Sequence, residues 1–152
     1  MAVEPDARAR AMKTGVLSSI KSKLVADERR VRLVLFGLFK GLQFEINLRS
    51  QTQLYLGLWE RETYSAIRRA AQSAEWFVDV GAGKGELCVF FARLQRIRRV
   101  IAIEPDEAET RILRANLNYN GVDIRRVEVL SKFVGTKRMP TISSLTNLIS
   151  AA

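Results

Sequence analysis

Trp76-Phe77-Val78-Asp79-Val80-Gly81-Ala82-Gly83-Lys84-Gly85-Glu86 is an apolar run that meets three alternating glycines and then opens into a helical pattern. Phe77, Val78 and Val80 suit a parallel strand buried on both faces, which reads as a continuous apolar run rather than an alternation. Asp79 interrupts it. A buried carboxylate needs hydrogen-bond donors, and the amides of the following turn are the nearest supply. Gly81, Gly83 and Gly85 permit dihedrals that cost an L-residue about 1–2 kcal/mol each, and they keep side chains out of a ligand's path. From Glu86 onward, Leu87, Val89, Phe90, Phe91, Leu94 and Ile97 form a broad buried helix face. A strand, a glycine turn and a helix N-terminus together make a candidate cofactor site.

Spacing separates the nucleotide motifs that compete for this turn. A phosphate-cradling P-loop needs glycine five residues after Gly81 and then Lys and Ser or Thr, where this chain has Glu86, Leu87 and Cys88. The dinucleotide fingerprint asks for a small third residue at position 86, and Glu86 brings negative charge to the place of a pyrophosphate. Both readings fail on the same residue. A second apolar strand, Val100-Ile101-Ala102-Ile103, ends in Glu104-Pro105, 23 positions after Gly81. An acidic residue at the end of a second parallel strand can accept ribose hydroxyls, which makes Glu104 the ribose-binding candidate. Asp106 to Asn120 reads as a helix with Ile112, Leu113 and Leu117 inward and Gly121 at its C-terminal cap; Ile124 to Leu130 supplies a third strand.

The pattern Asp79-x-Gly81-x-Gly83-x-Gly85 resembles motif I of class I S-adenosylmethionine-dependent methyltransferases, whose cofactor has no pyrophosphate. The block from Phe77 to Leu130 resembles the FkbM family in particular, through Asp79-Val-Gly-Ala82, Ile103-Glu-Pro105 and Leu113-Arg-Ala-Asn116-Leu-Asn-Tyr-Asn120-Gly121. Gln53-Leu-Tyr55-Leu-Gly57-Leu-Trp59-Glu60 looks like that family's lead-in segment. The resemblance implies an α/β, Rossmann-like class I methyltransferase fold with strand order 3-2-1, preceded by an N-terminal helix and a β-hairpin. It implies S-adenosyl-L-methionine as cofactor, bound by Asp79, Gly81, Ala82, Gly83, Gly85, Glu104 and Pro105. The implied reaction is O-methylation of a small molecule or sugar, with no catalytic residue assigned. Two other readings stay open: a catalytically inactive remnant that binds cofactor or a protein partner, and an RNA methyltransferase drawn by positive charge.

Composition bounds these readings. At 152 residues with 47% hydrophobic content, one domain with a core is the expectation. Twenty-five Lys plus Arg against sixteen Asp plus Glu give a net charge of +9, a statement about association rather than fold. With no histidine and one cysteine, neither a zinc site, a disulfide nor a histidine base is expected, and Cys88 reads as a buried thiol. No apolar run approaches the ~20 residues of a membrane span, and the N-terminus lacks a signal-peptide core, so the expected compartment is cytoplasmic.

Along the chain, Met12, Val16, Leu17, Ile20 and Leu24 mark a basic amphipathic helix from Asp6 to about Asp27 that packs on its own domain or a partner. Val31 to Phe36 reads as a strand, and Leu42, Phe44, Ile46 and Leu48 alternate with polar residues as its hairpin partner, turning at Gly37 and Gly41. Trp59, Tyr64, Ile67, Ala71 and Ala74 mark a helix before the glycine stretch. In methyltransferases this segment often closes over the cofactor, so Tyr55, Trp59 and Glu60 are lid candidates beside a core-packing reading. Arg93, Arg96, Arg98 and Arg99 form the densest basic cluster, read as a solvated face at the amino end of the sheet. Ser131 falls where the family often supplies a side chain to the adenine. Pro140 to Ile149 looks like the approach to a fourth strand at which the resemblance is truncated, which leaves the Phe77 to Val80 strand as an apolar edge open to self-association. The expected division is 1–30, an N-terminal helix; 31–75, a hairpin and lead-in helix; and 76–152, a partial cofactor-binding domain.

Overall fold

The computed structural model describes residues 27–134. The basic helix expected from Asp6 and the segment Pro140 to Ile149 lie outside the described residues. The chain forms two compact units that part between Ala70 and Ala71.

In the first unit, β1 (Arg29–Leu33) and β2 (Gln43–Asn47) form an antiparallel hairpin in which Arg32 faces Phe44 and Arg30 faces Ile46. The strict alternation of β2 puts Phe44 and Ile46 in the core. The first strand starts and ends earlier than its apolar run suggests. Val34 leaves the ladder to join the turn, where its amide donates to Leu42 O at 2.9 Å and its carbonyl accepts from Gly41 N at 3.0 Å. Leu48 likewise leaves the expected strand to begin α1 (Leu48–Tyr55), because Asn47 caps that helix by accepting from Arg49 N at 2.8 Å. A 3-10 turn at Arg61–Thr63 is followed by α2 (Tyr64–Ser73). Trp59 packs on Phe39, ring centroids 6.0 Å apart, which favours its core-packing role over a lid.

The second unit is a three-stranded parallel sheet, ordered β3 (Trp76–Val80), β4 (Arg99–Ile103), β5 (Val127–Leu130). Numbered from the Trp76 strand, this is the expected 3-2-1 order. The central strand is β4, whose Val100, Ile101 and Ala102 are all in the core. β3 lies at the edge, and Val78 and Val80 are 50% and 61% exposed, so the two-faced burial expected of that strand does not hold. Phe77 still stacks on Phe91, centroids 3.9 Å apart, which joins β3 to α3 (Glu86–Ala92).

α3 is shorter than its apolar pattern. It ends at Ala92; Leu94 and the fully buried Ile97 belong to the turns that follow. α4 (Glu107–Tyr119) is capped by Asp106, which accepts from Ala108 N at 2.7 Å, and it closes at Gly121 with φ +61. The strand expected from Ile124 begins only at Val127, because Asp123 caps a 3-10 turn over Ile124–Arg126. Among the described residues no helix is long and apolar enough to cross a membrane.

Candidate functional site

The carboxyl ends of β3 and β4 are tied together by the glycine turn between β3 and α3. Gly81 N and Ala82 N both donate to Ile103 O, at 2.8 and 3.1 Å, and Gly85 N donates to Ala82 O at 2.8 Å. The next donor, Gly83 N, points at Glu104 Oε2, 2.9 Å away, while Glu104 Oε1 accepts from Asp106 N at 2.9 Å. Glu104 is therefore buried yet satisfied by two backbone amides, one on each oxygen. A carboxylate has about four acceptor positions, so two further donors can be received.

The amides assigned to Asp79 from sequence thus go elsewhere. Asp79 Oδ2 accepts from the Cys88 thiol at 3.3 Å, one turn into α3. Burial raises the Asp79 pKa, the Cys88 hydrogen bond opposes the rise, and the nearby Glu104 charge adds to it. Burial and Asp79 drive the Cys88 thiol far up, so this fully buried sulfur is a donor rather than a nucleophile. Glu86 is also raised, first by burial, with Lys84 opposing and Glu109 and Asp79 adding. Three carboxylates, Asp79, Glu86 and Glu104, thus surround one turn. Among the described residues no group of three His, Cys, Asp or Glu is arranged to hold a metal.

The three glycines do different work. All have positive φ, but a Cβ on Gly81 or Gly83 would meet nothing within 4 Å, whereas one on Gly85 would lie 2.6 Å from Leu113 Cγ. Gly81 and Gly83 leave open space over the turn. Gly85 instead admits a core side chain from α4, a role the sequence reading assigned to a ligand's path.

A concavity of about 190 Å3 opens here, lined by Val80, Gly81, Ile103, Pro105 and Phe133 among others. Ala82 is buried behind the turn. Solved structures share the fold. TYW2 of Pyrococcus horikoshii in complex with MeSAdo matches 72% of this chain and 39% of its own, with TM-score 0.50 and 23% identity. The fold is Rossmann-like. TYW2 of M. jannaschii in complex with AdoMet matches 70% of this chain and 45% of its own, with TM-score 0.49 and 20% identity. The tRNA (uracil-54, C5)-methyltransferase of Pyrococcus abyssi in complex with S-adenosyl-L-homocysteine matches 74% and 26%, with TM-score 0.47 and 18% identity. The chain spans less than half the length of each. No protein-family model and no curated protein matches it.

In a Rossmann-like sheet ligands bind outside the carboxyl ends of the strands, where the turn, Glu104 and this concavity lie. Sequence reasoning missed the supports behind the turn. Asn116 Nδ2 donates to Lys84 O at 2.9 Å, and Lys84 Nζ pairs with Glu109 Oε2 at 3.2 Å. The asparagine-rich end of α4 was the available signal. Phe133 was also missed; it forms part of the wall while Ser131 is exposed.

The basic cluster is solvated as expected, with Arg93, Arg96 and Arg98 exposed, and part of it is also paired. Arg93 donates to Asn120 O at 2.9 Å, Arg98 pairs with Glu75 at 3.4 Å and Arg99 with Glu128 at 2.9 Å. Arg126 reaches back to the carbonyls of Leu94 and Ile97. These cations hold their own unit together at the amino end of the sheet.

Proposed function

We propose that the second unit binds S-adenosyl-L-methionine and that the chain is an S-adenosylmethionine-dependent methyltransferase. The observation that carries this reading is Glu104, held by Gly83 N at 2.9 Å beside two glycines over which a Cβ meets nothing. Its remaining lone pairs suit a vicinal pair of ribose hydroxyls, and each such hydrogen bond to a charged group contributes about 1.5–3 kcal/mol. Gly81 and Gly83 allow the cofactor to approach the backbone, Pro105 and Ala82 shape the turn's two sides, and Gly85 seats the turn on α4. Asp79 and Glu86 add negative charge, which suits a sulfonium cation and repels a pyrophosphate.

The bound cofactor supplies an already activated methyl group. The protein's part is then to hold an acceptor in line with it, and proximity of that kind supplies several kcal/mol. We assign the acceptor to the small-molecule or sugar hydroxyls that the FkbM-like sequence pattern implies. The Arg98–Glu75 and Arg99–Glu128 pairs offset part of the charge of the densest basic cluster, which supports this over RNA.

Thermal melting with different nucleotides tests the cofactor class. S-adenosylmethionine and S-adenosylhomocysteine are expected to raise the midpoint, and NAD and ATP to leave it unchanged. Stabilisation by NAD or ATP alone would overturn the reading.

A further inference from the structure

The first unit carries a concavity of about 700 Å3 that the cofactor reading does not use. Small-molecule sites typically enclose about 300–1,000 Å3. Two loops cross to make its floor. Gly37 and Gly57 both have positive φ, a Cβ on Gly37 would lie 2.5 Å from Gly57 O, and one on Gly57 would overlap the Phe36 carbonyl. The Tyr64 hydroxyl donates to Gly57 O at 3.1 Å, and Leu35 N donates to Tyr55 O at 3.1 Å. The floor is therefore fixed by backbone contacts, with no room for a side chain at either glycine.

The walls are of two kinds. Phe36 and Leu58 are 60% and 50% exposed and line the concavity with Leu56, an apolar surface open to water. Arg61 and Arg68 line it too, seven positions apart and so on one face of the helical turns. Among the described residues every ion pair involves other cations, and neither Arg61 nor Arg68 has a carboxylate partner. Arg61 follows Glu60, whose φ of +46 is the one positive value among the described non-glycine residues. That conformation costs about 1–2 kcal/mol. It is held by Thr63, whose amide and hydroxyl both donate to Glu60 O, at 2.9 and 2.8 Å.

We propose that this concavity binds a small amphiphilic anion, with a carboxylate or phosphate head on Arg61 and Arg68 and an apolar body against Phe36, Leu56 and Leu58. Guanidinium groups match both oxyanions through paired N–H donors, and burying the apolar walls favours a hydrocarbon body over a plain ion. A polyanion such as RNA fits an extended groove rather than an enclosed floor with two cations. The proposal does not depend on methyl transfer, because its residues and its ligand are separate from those of the glycine turn.

Titration calorimetry of the whole chain with octanoate and with octyl phosphate tests it, using octanol as the neutral control. Saturable binding of at least one anion is expected, weakened about tenfold or more in the double variant Arg61→Ala, Arg68→Ala. The paired Arg→Lys variant should keep part of the affinity, and both variants should melt as the parent does, since these side chains are exposed. Equal binding of octanol, unchanged affinity in the Ala variant, or no saturable binding of either anion would overturn the proposal. Binding of a short RNA in place of both amphiphiles, lost in the Ala variant, would overturn it in favour of nucleic acid.

Discussion

Asn116 Nδ2 donates to the Lys84 carbonyl at 2.9 Å, so the last turn of α4 grips the glycine turn from behind. Leu113, three residues earlier on that helix, fills the space beneath Gly85, and Glu109 takes the Lys84 ammonium. The turn is thus pre-shaped by packing rather than left to close on a ligand. Asn116→Ala leaves the Lys84 carbonyl without this donor, at a cost of about 1–3 kcal/mol. Urea unfolding should show that loss, together with weaker S-adenosylmethionine binding.

Gly81 and Gly85 separate ligand space from core space. Gly85→Ala combines φ +80 with a contact 2.6 Å from Leu113 Cγ, and we expect a loss of more than about 2 kcal/mol from strain and overpacking together. Gly81→Ala meets no atom within 4 Å and should cost only the backbone strain of about 1–2 kcal/mol. Cofactor affinity should fall in both, but in Gly81→Ala without a matching fall in stability. Thermal melting read beside ligand titration distinguishes the two.

Asp79 fixes a pH dependence. Burial raises its pKa above the ordinary 3.8, so the folded chain holds that proton more tightly than the unfolded chain. Stability from this group therefore falls as pH rises from about 3.8 through the raised value, and the penalty stays in full above it. Glu86 acts in the same direction from 4.5. Asp79→Asn removes one contribution while keeping an acceptor for the Cys88 thiol. Its stability should decline less steeply with rising pH than the parent's, measured by urea unfolding across the acidic and neutral range.

Arg126 ties the turn after α3 to the start of β5 through the carbonyls of Leu94 and Ile97. Arg126→Ala removes the side-chain donor from the Ile97 carbonyl and leaves Leu94 O with only the Ile97 amide, and it should cost about 1–3 kcal/mol in urea unfolding. Cofactor affinity should stay unchanged, because this arginine sits at the opposite end of the sheet from the glycine turn.

The strands were legible because their signals were local, and their order followed from the methyltransferase resemblance. The apolar runs at Phe77 and Val100, the alternation at Phe44 and Ile46, and the cap residues Asp106 and Gly121 each announce their element. What was hidden is long-range. Nothing near Asp79 says that its partner is Cys88, because that pairing depends on how α3 lies along β3. The roles of Gly83 and Gly85 look alike in sequence and diverge only when Glu104 and Leu113 arrive from strands and helices further on. Boundaries slipped where a short polar side chain captured a backbone amide, as Asn47 does at α1 and Asp123 before β5.

The most direct test of the central claim is titration calorimetry of the purified chain with S-adenosyl-L-methionine, run beside Glu104→Ala. Micromolar binding by the parent is expected, weakened about tenfold or more when the carboxylate is removed. No binding by a parent protein shown to be folded, or equal affinity in the two proteins, would contradict the account.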